Sequence, residues 1–350
     1  MILNILILVI LTCPAIFFTR SSLAYDPIKL QKNSFMKIDK ENISFEKAFA
    51  QYQPSSVLEN SMTVGFEIEG YIDDQFTRAD FAEKLVPYIQ EYFGEIKAMN
   101  GLPTFMKVEL KMGSYFLVDR DDTIDPPPGG TDVEINTPAM LKNNYRSKAI
   151  ALLEILRKSG FRFTKTSSIH VHVGFPSENV SSGELILLND IFHVIQKDFF
   201  RVFRPHEERL EHYAGPISSA HSKYVLNQKY RGEDLINNPS FGKIEEIADK
   251  LPLAAGYGYV DISGSLSEHG TIQLRILNGS FDIGPLEFAT EFLAKLILSI
   301  HTQNPSLKKY MLSVPPDGIK LQEISRILGV EHLLSHVMVK NCNDDLKSVL

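Results

Sequence analysis

Val64-Gly65-Phe66-Glu67-Ile68-Glu69-Gly70 alternates apolar and acidic residues with period two. In a strand, residues i and i+2 share a face, so Phe66 and Ile68 turn one way and Glu67 and Glu69 the other. Three further stretches repeat the arrangement. In residues 131–137, Asp132, Glu134 and Asn136 oppose Val133 and Ile135; in 168–174, His170 and His172 oppose Ile169, Val171 and Val173; in 271–277, Gln273 and Arg275 oppose Ile272, Leu274 and Ile276. Singly, each is the wet face of an antiparallel strand. Together they put acids, imidazoles and a guanidinium on separate strands whose opposite faces are all apolar. If these strands are neighbours, at least three carboxylates crowd one surface, and like charges that close require a cation between them. Carboxylate oxygens suit Mg²⁺ or Mn²⁺, and an added imidazole tilts the preference toward Mn²⁺ or Zn²⁺. Arg275 adds what the metal lacks, a planar fork for phosphate or carboxylate oxygens.

The elements around these strands follow from periodicity and capping. Thr77, with Asp80 three residues on, opens a helix that carries Phe81, Leu85 and Ile89 on one face. Residues 106–112 alternate strictly, and 115–119 is the hairpin partner after Gly113-Ser114. A loop with three prolines and two glycines spans Pro126 to Gly130. Helices are expected over 145–159, stopped by Gly160, from Ser181 or Ser182 through Phe203, and over 285–302. Short strands are expected over 259–263 and 271–277, and the stretch 204–258 is polar and irregular. The hairpins predict an α+β fold: a largely antiparallel sheet with helices gathered on one face, leaving the other face polar.

The chain has 350 residues, 44% hydrophobic and 23% charged, which fits a folded protein and excludes a disordered or polytopic membrane chain. Its net charge of −7 leaves no basic surplus for a nucleic-acid partner. Its two cysteines, Cys13 and Cys342, build no disulfide framework in the body. Residues 1–24 form an apolar run followed by Arg20 and a small-residue site at Ser22-Leu23-Ala24, which reads as a secretory signal peptide and predicts export. The basic residues lie downstream, at Arg20, Lys29, Lys32 and Lys37, which also fits an N-terminal anchor with the body in the cytosol. The predicted organisation is this leader, a lead-in over 25–60 with a helix over 43–52, a catalytic body over 61–310, and a helical, peripheral C-terminal segment over 311–350.

The motifs, in order, resemble those of the amidoligase family, part of the carboxylate-amine ligase superfamily with glutamine synthetase and glutamate cysteine ligase. Val64 to Glu69 is similar to its opening Gly-x-Glu-x-Glu. Asp121 to Pro138 resembles its Asp-x-Ser, Gly-rich loop and Glu-Ile-x-Ser/Thr-Pro. The strand through His170 and His172 resembles its paired-histidine strand, and residues 270–282 its closing Thr-x-Glu-x-Arg. Arg209 to Pro216 is similar to a weaker Arg and Tyr motif. The resemblance spans residues 64–294 and implies a glutamine synthetase catalytic-domain-like fold, a curved, largely antiparallel sheet whose polar concave face binds ATP with Mg²⁺, Mn²⁺ being possible. It also implies amide or isopeptide formation through an acyl phosphate, on amino acids or peptide-like carboxylate and amine substrates. It further implies that Glu67, Glu69, Glu134 and His170 hold metal, that His170, His172, Gln273 and Arg275 contact the nucleotide, and that Arg275, Glu67 and Asp121 are catalytic, Asp121 and Thr123 standing at the substrate position.

Two residues depart from the pattern. Gln273 stands where the family usually has Glu, so it can coordinate through oxygen but neutralises no charge. Ser168 replaces the glycine that usually precedes the histidine strand. Gln273 also leaves open a relative that binds nucleotide without turnover. The His pair with the acids leaves open a Zn²⁺ hydrolase, for which no third ligand stands at a fixed spacing.

Overall fold

A computed structural model describes residues 61–174, 182–212, 214–217, 258–262, 270–314 and 318–349. The leader, the lead-in segment with its 43–52 helix, and most of the stretch 204–258 lie outside the described residues. The elements in chain order are β1 (Thr63–Asp73), α1 (Arg78–Phe93), β2 (Ile96–Leu102), β3 (Phe105–Leu110), β4 (Tyr115–Asp119), β5 (Gly130–Asn136), β6 (Met140–Leu141), α2 (Tyr145–Lys158), β7 (Ser168–Gly174), α3 (Ser182–Phe203), α4 (Glu207–His212), β8 (Val260–Asp261), β9 (Thr271–Asn278), α5 (Ile283–His301), α6 (Pro305–Ser313), α7 (Leu321–Ile327) and α8 (Glu331–Val349).

All strands join one antiparallel sheet in the order β2-β3-β4-β5-β1-β7-β9-β8, with β6 paired to the start of β1. The fold is α+β, as the hairpins predict. The four strands singled out in the sequence are consecutive in this order, β5-β1-β7-β9. Their apolar residues, Phe66 and Ile68, Val133 and Ile135, Ile169 and Val171, and Ile272 and Leu274, are buried in a single core with the helices. Burial of these faces supplies the main driving force for the layer, and it sends the opposite residues of every strand to the polar face.

The local signals act as expected. Thr77 caps α1 in a capping box with Asp80, and α1 buries Phe81, Leu85 and Ile89 while packing on β2, β3 and β4. Gly160 takes φ +89° just past α2, a backbone state that side chains disfavour. Helix α5 starts at Ile283, two residues before the expected point, because Asp282 caps it by accepting from the Gly284 amide at 3.1 Å.

Three features differ from the sequence expectation. Edge strand β2 was not foreseen, since its residues are mostly exposed and carry no alternation. Strand β3 stops at Leu110, where the Gly113 amide closes a turn on the Leu110 carbonyl, and leaves Met112 exposed. The C-terminal segment is helical as expected but not peripheral: Leu321, Ile324, Leu334 and Val337 are buried in the common core, with α7 and α8 against α3 and α8 also against α5.

Next to the polar face, Gly70 follows Glu69 where Tyr71 of β1 bridges Arg162. A methyl group at Gly70 would collide with the Arg162 carbonyl and the Phe161 ring. G70A is therefore expected to lose about 1–3 kcal/mol of stability through overpacking, measured by denaturant unfolding; an unchanged midpoint would contradict this packing.

Candidate active site

Registry across the sheet brings the chemical groups together. Glu69 lies opposite Glu134 on β5, Glu67 opposite His170 on β7, and His172 opposite Gln273 on β9. Glu69, His170, His172 and Gln273 are each less than 8% exposed, so their polar atoms depend on one another rather than on water.

Glu67 is the hub of one half of the site. One carboxylate oxygen lies 2.6 Å from His170 Nδ1 and accepts from the Gln273 amide at 2.8 Å; the other lies 3.0 Å from His172 Nε2. His170 spans two acids, with Nε2 3.1 Å from Glu69. His172 is oriented from its other nitrogen by Thr271 Oγ1 at 2.9 Å. Gln273 also accepts from Arg275 Nη1 at 3.2 Å. An amide can donate to Glu67 and accept from Arg275 at once, which a carboxylate at this position could not do. The departure at Gln273 is thus accommodated by a hydrogen-bonded bridge between the acid and the guanidinium.

The other half is acidic. Glu69, Asp121 and Glu134 each direct a carboxylate oxygen to within 4.8 Å of the others. Asp121 sits on the loop after β4, where its side chain accepts from the Thr123 amide and hydroxyl, both at 2.8 Å. Its own amide donates to Asp132, which Arg78 holds in an ion pair at 2.7 Å. Asn136 donates to Glu134 at 2.6 Å.

The charges respond to this crowding. Burial, and then the charge of Glu67, push the Glu134 carboxyl up to about 8, and burial followed by the charge of Glu69 raises Asp121. Burial also works to raise Glu67, but the hydrogen bonds and charges of His170 and His172 outweigh it and hold this carboxyl far below the usual range. Glu67 is held between two imidazoles and His170 also reaches Glu69, whereas among the described residues no basic side chain pairs with Asp121 or Glu134. Three convergent carboxylate oxygens fit a hard divalent cation such as Mg²⁺ or Mn²⁺.

The expected residues divide accordingly. Glu69 and Glu134 join Asp121 in the three-carboxylate group, whereas Glu67 and His170 adjoin it through hydrogen bonds. His172, Gln273 and Arg275 form the side of the site nearest β9. Asp261 pairs with Gln273 across β8 and β9. Ser168, the second departure from the family pattern, donates to Glu69 and stands 2.7 Å from His170 Nε2. Its position two residues before His170, on the same strand face, was the signal for it. Thr271 precedes Gln273 by the same spacing.

A model of the family described as "Putative amidoligase enzyme" matches residues 60–297. The chain belongs to this amidoligase family. No curated protein matches it. Every residue of the site described above, from Glu67 to Arg275, falls within the span matched to the amidoligases. Among the described residues, no helix is long and apolar enough to cross a membrane.

The raised Glu134 carboxyl gives a pH test. Between its ordinary value of 4.5 and about 8, the folded amidoligase binds more protons at this group than the unfolded chain does. This group's contribution therefore makes stability fall as pH rises through that window. The melting temperature of the metal-free protein is expected to decline over this range, and both E134Q and added Mg²⁺ are expected to flatten the decline. A slope unchanged in E134Q would contradict the assignment.

Proposed function

We propose that the protein is an ATP-dependent carboxylate-amine ligase acting on an amino acid or peptide-like substrate. The observation that carries this reading is the union, on four adjacent strands and the loop after β4, of a three-carboxylate group with a histidine-bound acid and an arginine. Phosphoryl transfer asks an enzyme mostly for positioning and charge neutralisation, and these residue types supply both. In the proposed reaction a substrate carboxylate oxygen attacks the γ-phosphorus of ATP, and the bond to ADP breaks. The nitrogen of an amine then attacks the acyl carbon, phosphate leaves, and the amine loses its proton.

Glu69, Asp121 and Glu134 are the residues that would hold a divalent cation. Such a cation, Mg²⁺ or Mn²⁺, would neutralise phosphate oxygens. Arg275 would steady the phosphoryl group as it moves, its guanidinium oriented by Gln273. His170 and His172 hold Glu67 ionised beside the cation group, which keeps the nucleotide side of the site polar and fixed. Asp121 has a second task available, contact with the incoming amine, because its loop borders the sheet face. The net charge of −7 argues against a nucleic-acid substrate.

The full-length protein, incubated with ATP, Mg²⁺ and a mixture of amino acids, is expected to release ADP only when the amino acids are present. R275A and E67A are each expected to lower the rate by about 10²-fold or more, the scale seen when one preorganised charge-stabilising donor is lost. ADP release that is independent of amino acids and unaffected by both substitutions would contradict the reading.

A further inference from the structure

Arg209 stands in the sequence motif to which no task has been given, and it is fully buried. Among the described residues no carboxylate lies within ion-pair reach of it. Its partners are instead two backbone carbonyls of β9. Nη1 donates to the Leu277 carbonyl at 2.6 Å, and Nη2 donates to the carbonyl of Arg275 itself.

The location explains why carbonyls need a guanidinium there. Strand β8 is two residues long and pairs with Gln273 and Leu274 only. Just beyond it, the Arg275 amide donates to the Tyr259 carbonyl, but among the described residues no strand receives the carbonyls of Arg275 and Leu277 on that edge. Buried and unpaired, each would carry a desolvation penalty. The guanidinium takes the place of the missing strand, its fork matching two carbonyls two residues apart on one edge.

The same stretch of β9 is irregular. Ile169 pairs with Leu277 and Val171 with Leu274, so Arg275 and Ile276 together oppose His170 alone. This is a β-bulge, a device that re-aims a side chain beside a functional site. The helix that carries Arg209 is docked independently on the end of β9: the Asn278 amide accepts from the His206 backbone at 3.0 Å and donates to the Arg204 carbonyl at 2.9 Å. Arg204 has φ +46°, which turns the chain sharply from α3 toward α4.

We propose that Arg209 is a positioning residue that pins the β9 bulge from behind and so fixes the direction in which Arg275 presents its guanidinium to the acidic site. The inference rests on the ligase reading for the task of Arg275, but the geometric claim stands apart from it. Lysine keeps the charge and lacks the fork, so it cannot hold both carbonyls.

The test uses full-length R209K, R275A and the double variant. At a temperature where all three are folded by melting curves, R209K is expected to lower kcat for ADP release about tenfold with KM for ATP little changed. In the R275A background, R209K is expected to cause no further loss of rate while still lowering the melting temperature. A wild-type kcat in R209K, or a loss that multiplies with that of R275A, would overturn the proposal. If R209K does not fold, N278A, which leaves Arg209 in place and frees its helix, is read in the same cycle with the same criteria. If the wild type releases no ADP, the ligase reading fails, and crystal structures of wild type and a folded variant decide the positioning claim. Loss of the contact between Arg275 and Gln273 in the variant supports it, and retention overturns it.

Discussion

Repulsion among Glu67, Glu69, Asp121 and Glu134 is the constraint around which the polar face of the sheet is organised. Antiparallel pairing of β1 with β5 sets Glu69 directly against Glu134, and directly opposed like charges destabilise a sheet. The apolar backs of these strands make the placement unavoidable, since a one-residue slip of β1 would carry Phe66 and Ile68 out of the core. Core packing thus forces carboxylates together that would separate if free.

The chain answers the repulsion in two ways. On the β7 side, His170 and His172 bind Glu67, and the Gln273 amide completes its shell without adding charge. On the β5 side, among the described residues, no basic partner reaches Glu134, and its carboxyl rises to about 8 as burial and the charge of Glu67 act on it. The contrast between an acid held strongly ionised and a neighbour pushed toward its neutral form is a common mark of functional sites. It also separates a half rich in nitrogen donors around Glu67 from a half built on three convergent carboxylates.

Much of this was legible in the sequence because period two is a local property. Glu67, Glu69, Glu134, His170, His172, Gln273 and Arg275 could each be assigned to a polar strand face from their neighbours alone, and the Thr77 box and Gly160 stop marked helix ends in the same way. What was not legible depends on pairing between distant segments. The entry of Asp121 into the group with Glu69 and Glu134 is set by the path of the loop after β4. The bulge at Arg275 and Ile276 is a difference between β7 and β9 that neither strand reveals by itself, and Arg209 serves carbonyls 66 and 68 residues away. Ser168 sits between these cases: its face was readable, but its bonds to Glu69 and His170 required the register of β1 and β7. The strand β2 was missed because an exposed edge has no buried face to impose alternation.

The central claim is that this arrangement activates a carboxylate by phosphorylation. It is tested most directly by supplying amino acids labelled with ¹⁸O in their carboxyl groups, together with ATP and Mg²⁺, and analysing the released phosphate by mass spectrometry. The account predicts one ¹⁸O atom in each phosphate formed with ADP, because the oxygen that attacks phosphorus leaves with it when the amine arrives. Phosphate without the label, or release of AMP and pyrophosphate in place of ADP, would contradict it.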